Sequence, residues 1–196
     1  MSFMNRAEHS RTNEGNDAYG CIFCRTGKEK LLAEAIERSD PAIQTIAAEK
    51  LRRRRIGRTF TREAVPVFPG YIFFRADAGY DVQKLSAQQD FYRLLRTPDG
   101  AWQLRGTDER FARMLFEQQG VLGFSRAYYE NDRIRIVDGV LKNYEGSIVR
   151  VNRRAQTAQI ALNVCSRPVT VWLGFELMNP CERGEETALK KHDEES

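Results

Sequence analysis

The sequence predicts an α+β chain of two small units, an α/β sandwich followed by a five-stranded β-barrel. Three features lead there. Runs with strand and helix periods alternate between residues 19 and 119, and residues 120–127 carry two glycines and no strong periodicity. Beyond them, short β-favouring runs are separated by turns, with no convincing helical stretch. A chain of 196 residues with 41% hydrophobic content can bury one moderate core or two small ones, and the spacing of the runs favours two.

Residues 1–17 are polar and aperiodic, and are expected to form a disordered leader. Tyr19 to Arg25 reads as a first strand. Thr26-Gly27-Lys28-Glu29 has the form of a capping box ahead of a helix from Lys28 to Arg38, with Leu31, Leu32, Ala35 and Ile36 on its apolar face. Within Ile43 to Ala64 the signals conflict. Ala47 to Leu51 favours helix, whereas Arg55 to Thr61 reads as a turn between two short strands, and a protruding basic hairpin is expected. Gly70 to Arg75 reads as a strand, Asp77 to Gln88 as a helix and Phe91 to Arg96 as a strand, with Pro98-Asp99-Gly100 turning into Ala101 to Leu104. Thr107 is placed to cap a last helix with Asp108 and Glu109 in its first turn and Phe111, Met114 and Leu115 inward.

The first unit is therefore expected over 18–119, a linker over 120–127 and the second unit over 128–178. The second unit's strands fall at Arg133 to Val137, Ser147 to Asn152, Gln159 to Val164 and Pro168 to Leu173, the pattern of an SH3-like barrel. Residues 179–196 read as a charged, disordered tail.

The net charge of +4 and a pI near 8.9 argue against indiscriminate coating of nucleic acid but permit a local basic patch. Arg25 to Arg62 holds eleven basic against five acidic residues, and Cys181 to Ser196 three against six, so a basic front and an acidic tail are separate regions. No run is long enough to span a membrane and the start lacks an apolar signal core, so a cytoplasmic chain is expected. Cys21, Cys24, Cys165 and Cys181 form no dense disulfide framework. Cys21 and Cys24, three apart on a strand, face opposite sides and are read as strand residues, so no metal or cofactor is expected. His9 and His192 lie in the ends expected to be disordered, and no acid–base pair is evident, so an enzyme is not expected.

Two motifs carry most of the functional information. In Val67-Phe68-Pro69-Gly70-Tyr71-Ile72-Phe73-Phe74 a Pro-Gly break precedes a β-favouring run and leaves aromatics on both sides, so Phe68 and Tyr71 can be aimed at a common surface. The plain alternative is that both rings fill a core. About 60 residues later, Asn131 to Val151 reads as a strand, a glycine-marked loop and a second strand.

In that order the motifs resemble the NusG family of transcription elongation factors, over roughly Tyr19 to Met178: the first its N-terminal domain, the second its C-terminal KOW domain. Within the family the chain is most similar to the LoaP antiterminator paralogue, judging from the basic insertion before Phe68, the Leu94-Leu95-Arg96 run and the ending Val171-Trp172-Leu173-Gly174-Phe175-Glu176-Leu177. The loop departs from the usual pattern at Asn143, where the family often has glycine.

The resemblance implies that Phe68, Pro69, Gly70 and Tyr71 dock on the clamp helices of RNA polymerase, and that the chain suppresses pausing and termination. Arg52, Arg53, Arg54, Arg55 and Arg58, with Arg62, are expected to meet nucleic-acid phosphate, because four consecutive arginines cannot all find carboxylates nearby. On the barrel, Arg135, Lys142, Arg150, Arg153, Arg154 and Arg167 are expected to contact a nascent RNA hairpin, with Tyr144 stacking on a base. The implied partners are RNA polymerase, a nascent RNA hairpin and non-template DNA, with the chain acting as a monomer away from membranes. Two alternatives stay open: a general NusG whose KOW domain adapts to Rho or a ribosomal protein, and a ribosome-associated RNA-binding protein.

Overall fold

The computed structural model describes residues 16–164 and 167–178. Most of the expected leader, the tail from Asn179, and Cys165, Cys181, His9 and His192 lie outside these residues. Asp17, assigned to the leader, opens the first strand.

Strand β1 (Asp17–Cys24) lies inside a four-stranded antiparallel sheet. Strand β5 (Tyr71–Asp77) pairs on one side, with Phe23 opposite Tyr71, and β6 (Phe91–Leu94) on the other, while β2 (Gln44–Ile46) completes the sheet beyond β5. Strand alternation sorts the side chains into two layers. Ile22, Cys24, Ile72 and Phe74 cluster with α1 (Glu29–Ser39), and Phe74 stacks on Trp102 at 5.2 Å. Tyr19, Cys21 and Phe73 cluster with α2 (Thr107–Glu117). Helices thus cover both faces, and each fully buried leucine or phenylalanine contributes roughly 1.5–3 kcal/mol.

The α1 stripe differs from the expected one: Leu32, Ala33 and Ile36 are buried, and Leu31 is 58% exposed. Neither helix has its expected cap. Lys28 and Gly106 occupy the N-cap positions without side-chain hydrogen bonds, because Glu29 is drawn to a distant partner and Thr107 is already the first helical residue. Between β5 and β6 only a 3-10 helix forms, Val82–Ala87, with the Asp81 carboxylate accepting from the Gln83 N–H; Leu85 alone is buried there, and one short turn suffices to bury it. Ala101 to Leu104 forms no strand, although the Leu104 N–H donates to the Tyr19 carbonyl at 2.7 Å.

Strands β3 (Glu49–Ile56) and β4 (Thr59–Pro66) form the basic hairpin, closed by Gly57-Arg58 with Gly57 in the left-handed region at φ +62°. Residues 120–127, expected as a linker, instead carry β7 (Val121–Leu122), which runs parallel to β3, and the start of β8 (Ser125–Glu130). With β9 (Arg133–Asp138), β10 (Ile148–Asn152), β11 (Thr157–Val164) and β12 (Arg167–Leu177), β8 builds a five-stranded sheet ordered β10-β11-β12-β8-β9. The long β12 pairs with β11 up to Gly174 and with β8 from Phe175, so one strand serves both halves. A 3-10 stretch, Val140–Ser147, joins the two outer strands.

The inward residues Ala127, Ile136, Ala158, Ile160, Leu173 and Phe175 belong to one apolar cluster with α2 and Phe68. At the junction the Phe111 and Tyr144 rings meet edge-on at 6.2 Å. The Lys50 ammonium donates to the Trp172 carbonyl at 2.8 Å; burial, and then Arg52 nearby, hold its pKa below the usual lysine range.

Candidate functional site

The Pro69-Gly70 corner is fixed from three directions. The Gly70 carbonyl accepts from the Cys24 N–H at 2.8 Å, the Phe68 carbonyl from the Tyr71 N–H at 3.1 Å, and the Gly70 N–H donates to the buried Glu29 carboxylate at 2.6 Å. Gly70 sits at φ +84°, where a side chain would be strained. The two aromatics differ here in depth of burial. Phe68 is 8% exposed and packs edge-on to Phe73 and Phe111, so most of its ring belongs to the core, while its remaining edge borders the same cavity as Tyr71. Tyr71 is half-buried against Phe23 at 5.3 Å and borders an apolar cavity of about 220 Å³ with Leu31, Ala47 and Pro66. Leu31 is the rim residue missed from the sequence, because a helical leucine beside Leu32 reads as core.

The hairpin arginines also divide by face. Arg52 and Arg54 share Glu63, at 3.3 and 3.7 Å. Arg53 stands opposite Arg62, a repulsive pairing, and Glu176 of β12 lies between them at 3.4 and 2.7 Å. Both guanidinium groups lie over the Phe124 ring, at 5.1 and 5.3 Å, and Arg53 also donates to Gln156. Three of the four consecutive arginines thus find a carboxylate, but only by sharing Glu63 and Glu176 among Arg52, Arg53, Arg54 and Arg62. The Arg55 guanidinium donates to the Gly57 carbonyl, and among the described residues no carboxylate pairs with Arg55 or Arg58. Beside them Ile56 and Phe60 are 55% and 68% exposed, an apolar tip not singled out from the sequence.

On the C-terminal sheet several expected contacts are already occupied. Arg135 pairs with Glu130, and Arg153 with Asp132, both at 3.1 Å, and Arg153 lies over Tyr129 at 4.5 Å. Lys142 donates to the Ile136 carbonyl. Tyr144, expected as a stacking platform, is turned inward onto Phe111, where burial pushes its phenol pKa up. Arg150, Arg154 and Arg167 are exposed, and no described carboxylate pairs with them. They do not converge: Arg167 stands at one end of the β11–β12 pair, and the turn holding Arg154 at the other.

No family model matches the chain, and no curated protein does. Among solved structures, the chain is similar to one described as "Domain interaction in Thermotoga maritima NusG", at 15% identity and a TM-score of 0.48, over 81% of this chain and 93% of that one.

Cys21 and Cys24 are buried on opposite faces of β1, as their spacing predicts, and neither forms a disulfide. Burial, with Glu29 and Asp90 nearby, pushes the Cys24 thiol up to about 11, far from a reactive thiolate. Among the described residues no group of three His, Cys, Asp or Glu could hold a metal, and no helix is long and apolar enough to cross a membrane.

Proposed function

We propose that the chain is a NusG-type transcription elongation factor, most like LoaP, that binds RNA polymerase and suppresses pausing and termination. The observation that carries this reading is the Pro69-Gly70 corner, pinned by Glu29 beside an open apolar cavity rimmed by Tyr71 and the exposed Leu31. A small interface needs an apolar anchor and a groove, and this corner offers both on a rigid support. Tyr71 and Leu31 would meet the clamp helices, Pro69 and Gly70 would set the angle, and Phe68 would brace the corner from below. The hairpin tip, with Arg55, Arg58 and Phe60, would reach towards nucleic acid, and the C-terminal sheet, acting as a KOW domain, would recognise a nascent RNA hairpin through Arg150, Arg154 and Arg167. The mechanism is binding and stabilisation, with no bond chemistry and no cofactor.

The test is binding of the full chain to purified RNA polymerase. Tyr71→Ala and Leu31→Ala are expected to weaken it roughly tenfold each with unchanged circular dichroism. Wild-type affinity in both variants would overturn the assignment.

One observation favours a protein-adaptor role for the C-terminal sheet: Arg135, Arg153 and Lys142 already have partners within the chain. An adaptor would show weak RNA affinity with little structure preference in a salt series, whereas a hairpin reader would select structured RNA.

A further inference from the structure

Arg93, Arg96 and Arg167 border one cleft of about 220 Å³, walled otherwise by Leu94 and Leu95, where the end of β12 comes against the outer strand β6. Among the described residues no carboxylate pairs with any of the three, whereas Arg25, Arg52, Arg53, Arg54, Arg62 and Arg75 each have one. Two of the three are held in place by neutral groups. The Arg93 guanidinium lies over the Phe23 ring at 5.4 Å, and the Arg96 guanidinium donates to the Gly100 carbonyl at 2.8 Å. Neither contact cancels charge, so three arginines line one cleft with no carboxylate paired to them among the described residues. Holding like charges together is unfavourable unless an anion joins them, and a guanidinium fork fits a phosphate oxygen pair.

We infer that this cleft is a phosphate site shared by the two parts of the chain, gripping the backbone of a single-stranded nucleic acid between β6 and β12. A neighbouring aromatic argues for a polymer over a free anion. Tyr92 is 58% exposed and leans on the same Phe23 ring, at 5.7 Å, that carries Arg93, so a base-stacking surface adjoins the charged one. The inference rests on the proposed nucleic-acid role of Arg167 and adds Arg93 and Arg96, to which that role assigned nothing. A strand held there touches both parts at once, so its binding would favour their docked arrangement.

The experiment uses the full chain and a fluorescent single-stranded RNA of mixed sequence, its DNA counterpart and inorganic phosphate as competitor, across a salt series. Arg93→Gln, Arg96→Gln and Arg167→Gln are each expected to weaken oligonucleotide binding about three- to tenfold and to lower the logarithmic salt slope by about 0.7. Arg93→Lys should restore the slope. Arg38→Gln removes an exposed charge far along the sequence, on α1, and should stay within about twofold of wild type. Equal losses on RNA and DNA identify phosphate alone as the determinant, and a loss confined to RNA identifies the transcript as the source; both support the site. If Arg167→Gln weakens binding while Arg93→Gln and Arg96→Gln do not, the shared cleft is overturned and the C-terminal reading stands. The inference also falls if Arg38→Gln costs as much as the three cleft variants, or if phosphate binds there without affecting the oligonucleotide.

Discussion

The Glu29 carboxylate accepts a hydrogen bond from the Gly70 N–H at 2.6 Å, across 41 residues of sequence, and ties the start of α1 to the corner that opens β5. Burial alone would raise the pKa of this carboxyl, but the N–H groups of Gly70, Glu29 and Gly27 outweigh it and hold the group below its ordinary 4.5. A carboxyl depressed by folding contributes stability above its unfolded value and loses it as pH falls through the folded one. Glu29→Gln should therefore cost about 1–3 kcal/mol at neutral pH, with the gap to wild type narrowing as pH drops below that ordinary value. Urea midpoints at stepped pH measure this, and a gap independent of pH would sink the account.

Gly70→Ala should destabilise by about 1–2 kcal/mol, because its φ of +84° resists a side chain and the new methyl would lie 3.1 Å from the Phe23 ring and 3.2 Å from the Cys24 carbonyl. The strain falls beside Tyr71, so the proposed contact with polymerase should weaken along with stability. Urea unfolding with parallel binding tests whether the two move together.

Phe68 and Tyr71, three residues apart, should respond differently. Phe68→Ala opens a cavity among Phe73 and Phe111 and should cost about 3–5 kcal/mol, whereas half-buried Tyr71→Ala should cost under about 2. Equal losses in chemical denaturation would contradict the burial difference.

Glu176→Ala leaves Arg53 and Arg62 facing each other without their shared counterion. Global stability should change by less than about 1 kcal/mol, since these groups are partly exposed. The local effect should be larger: faster amide hydrogen exchange along β3 and β4 than in wild type. High salt should shrink the difference by screening the pair. Unaltered exchange in the hairpin would mean that Glu176 does not hold it.

Strand β9 was legible because its alternation is written locally in Ile134, Arg135 and Ile136, and β1 and β5, covered on both faces, were legible as short β-favouring apolar runs. The hairpin was legible from Gly57 between β-compatible runs. What the sequence concealed depends on partners far along the chain. Glu29 has the local form of a capping residue, yet an N–H 41 residues away claims it. Arg53 looks unneutralised until Glu176, 123 residues on, is folded against it. Tyr144 reads as a loop aromatic because nothing nearby signals that α2 will lie over it. Leu31 and Leu32 are alike in composition, and only the docking angle of α1 decides which one faces solvent.

Gly174 has no side chain, and the Phe124 ring occupies the space where one would project, beneath Arg53 and Arg62. Phe124 also lies between β7, zipped to the hairpin, and β8, zipped to β12, with only Gly123 beside it. The hairpin and the C-terminal sheet are thus geared together through a two-residue axle, and the sheet cannot swing away from the hairpin without first breaking the Arg53 and Arg62 pairs to Glu176 and the Lys50 bond to the Trp172 carbonyl.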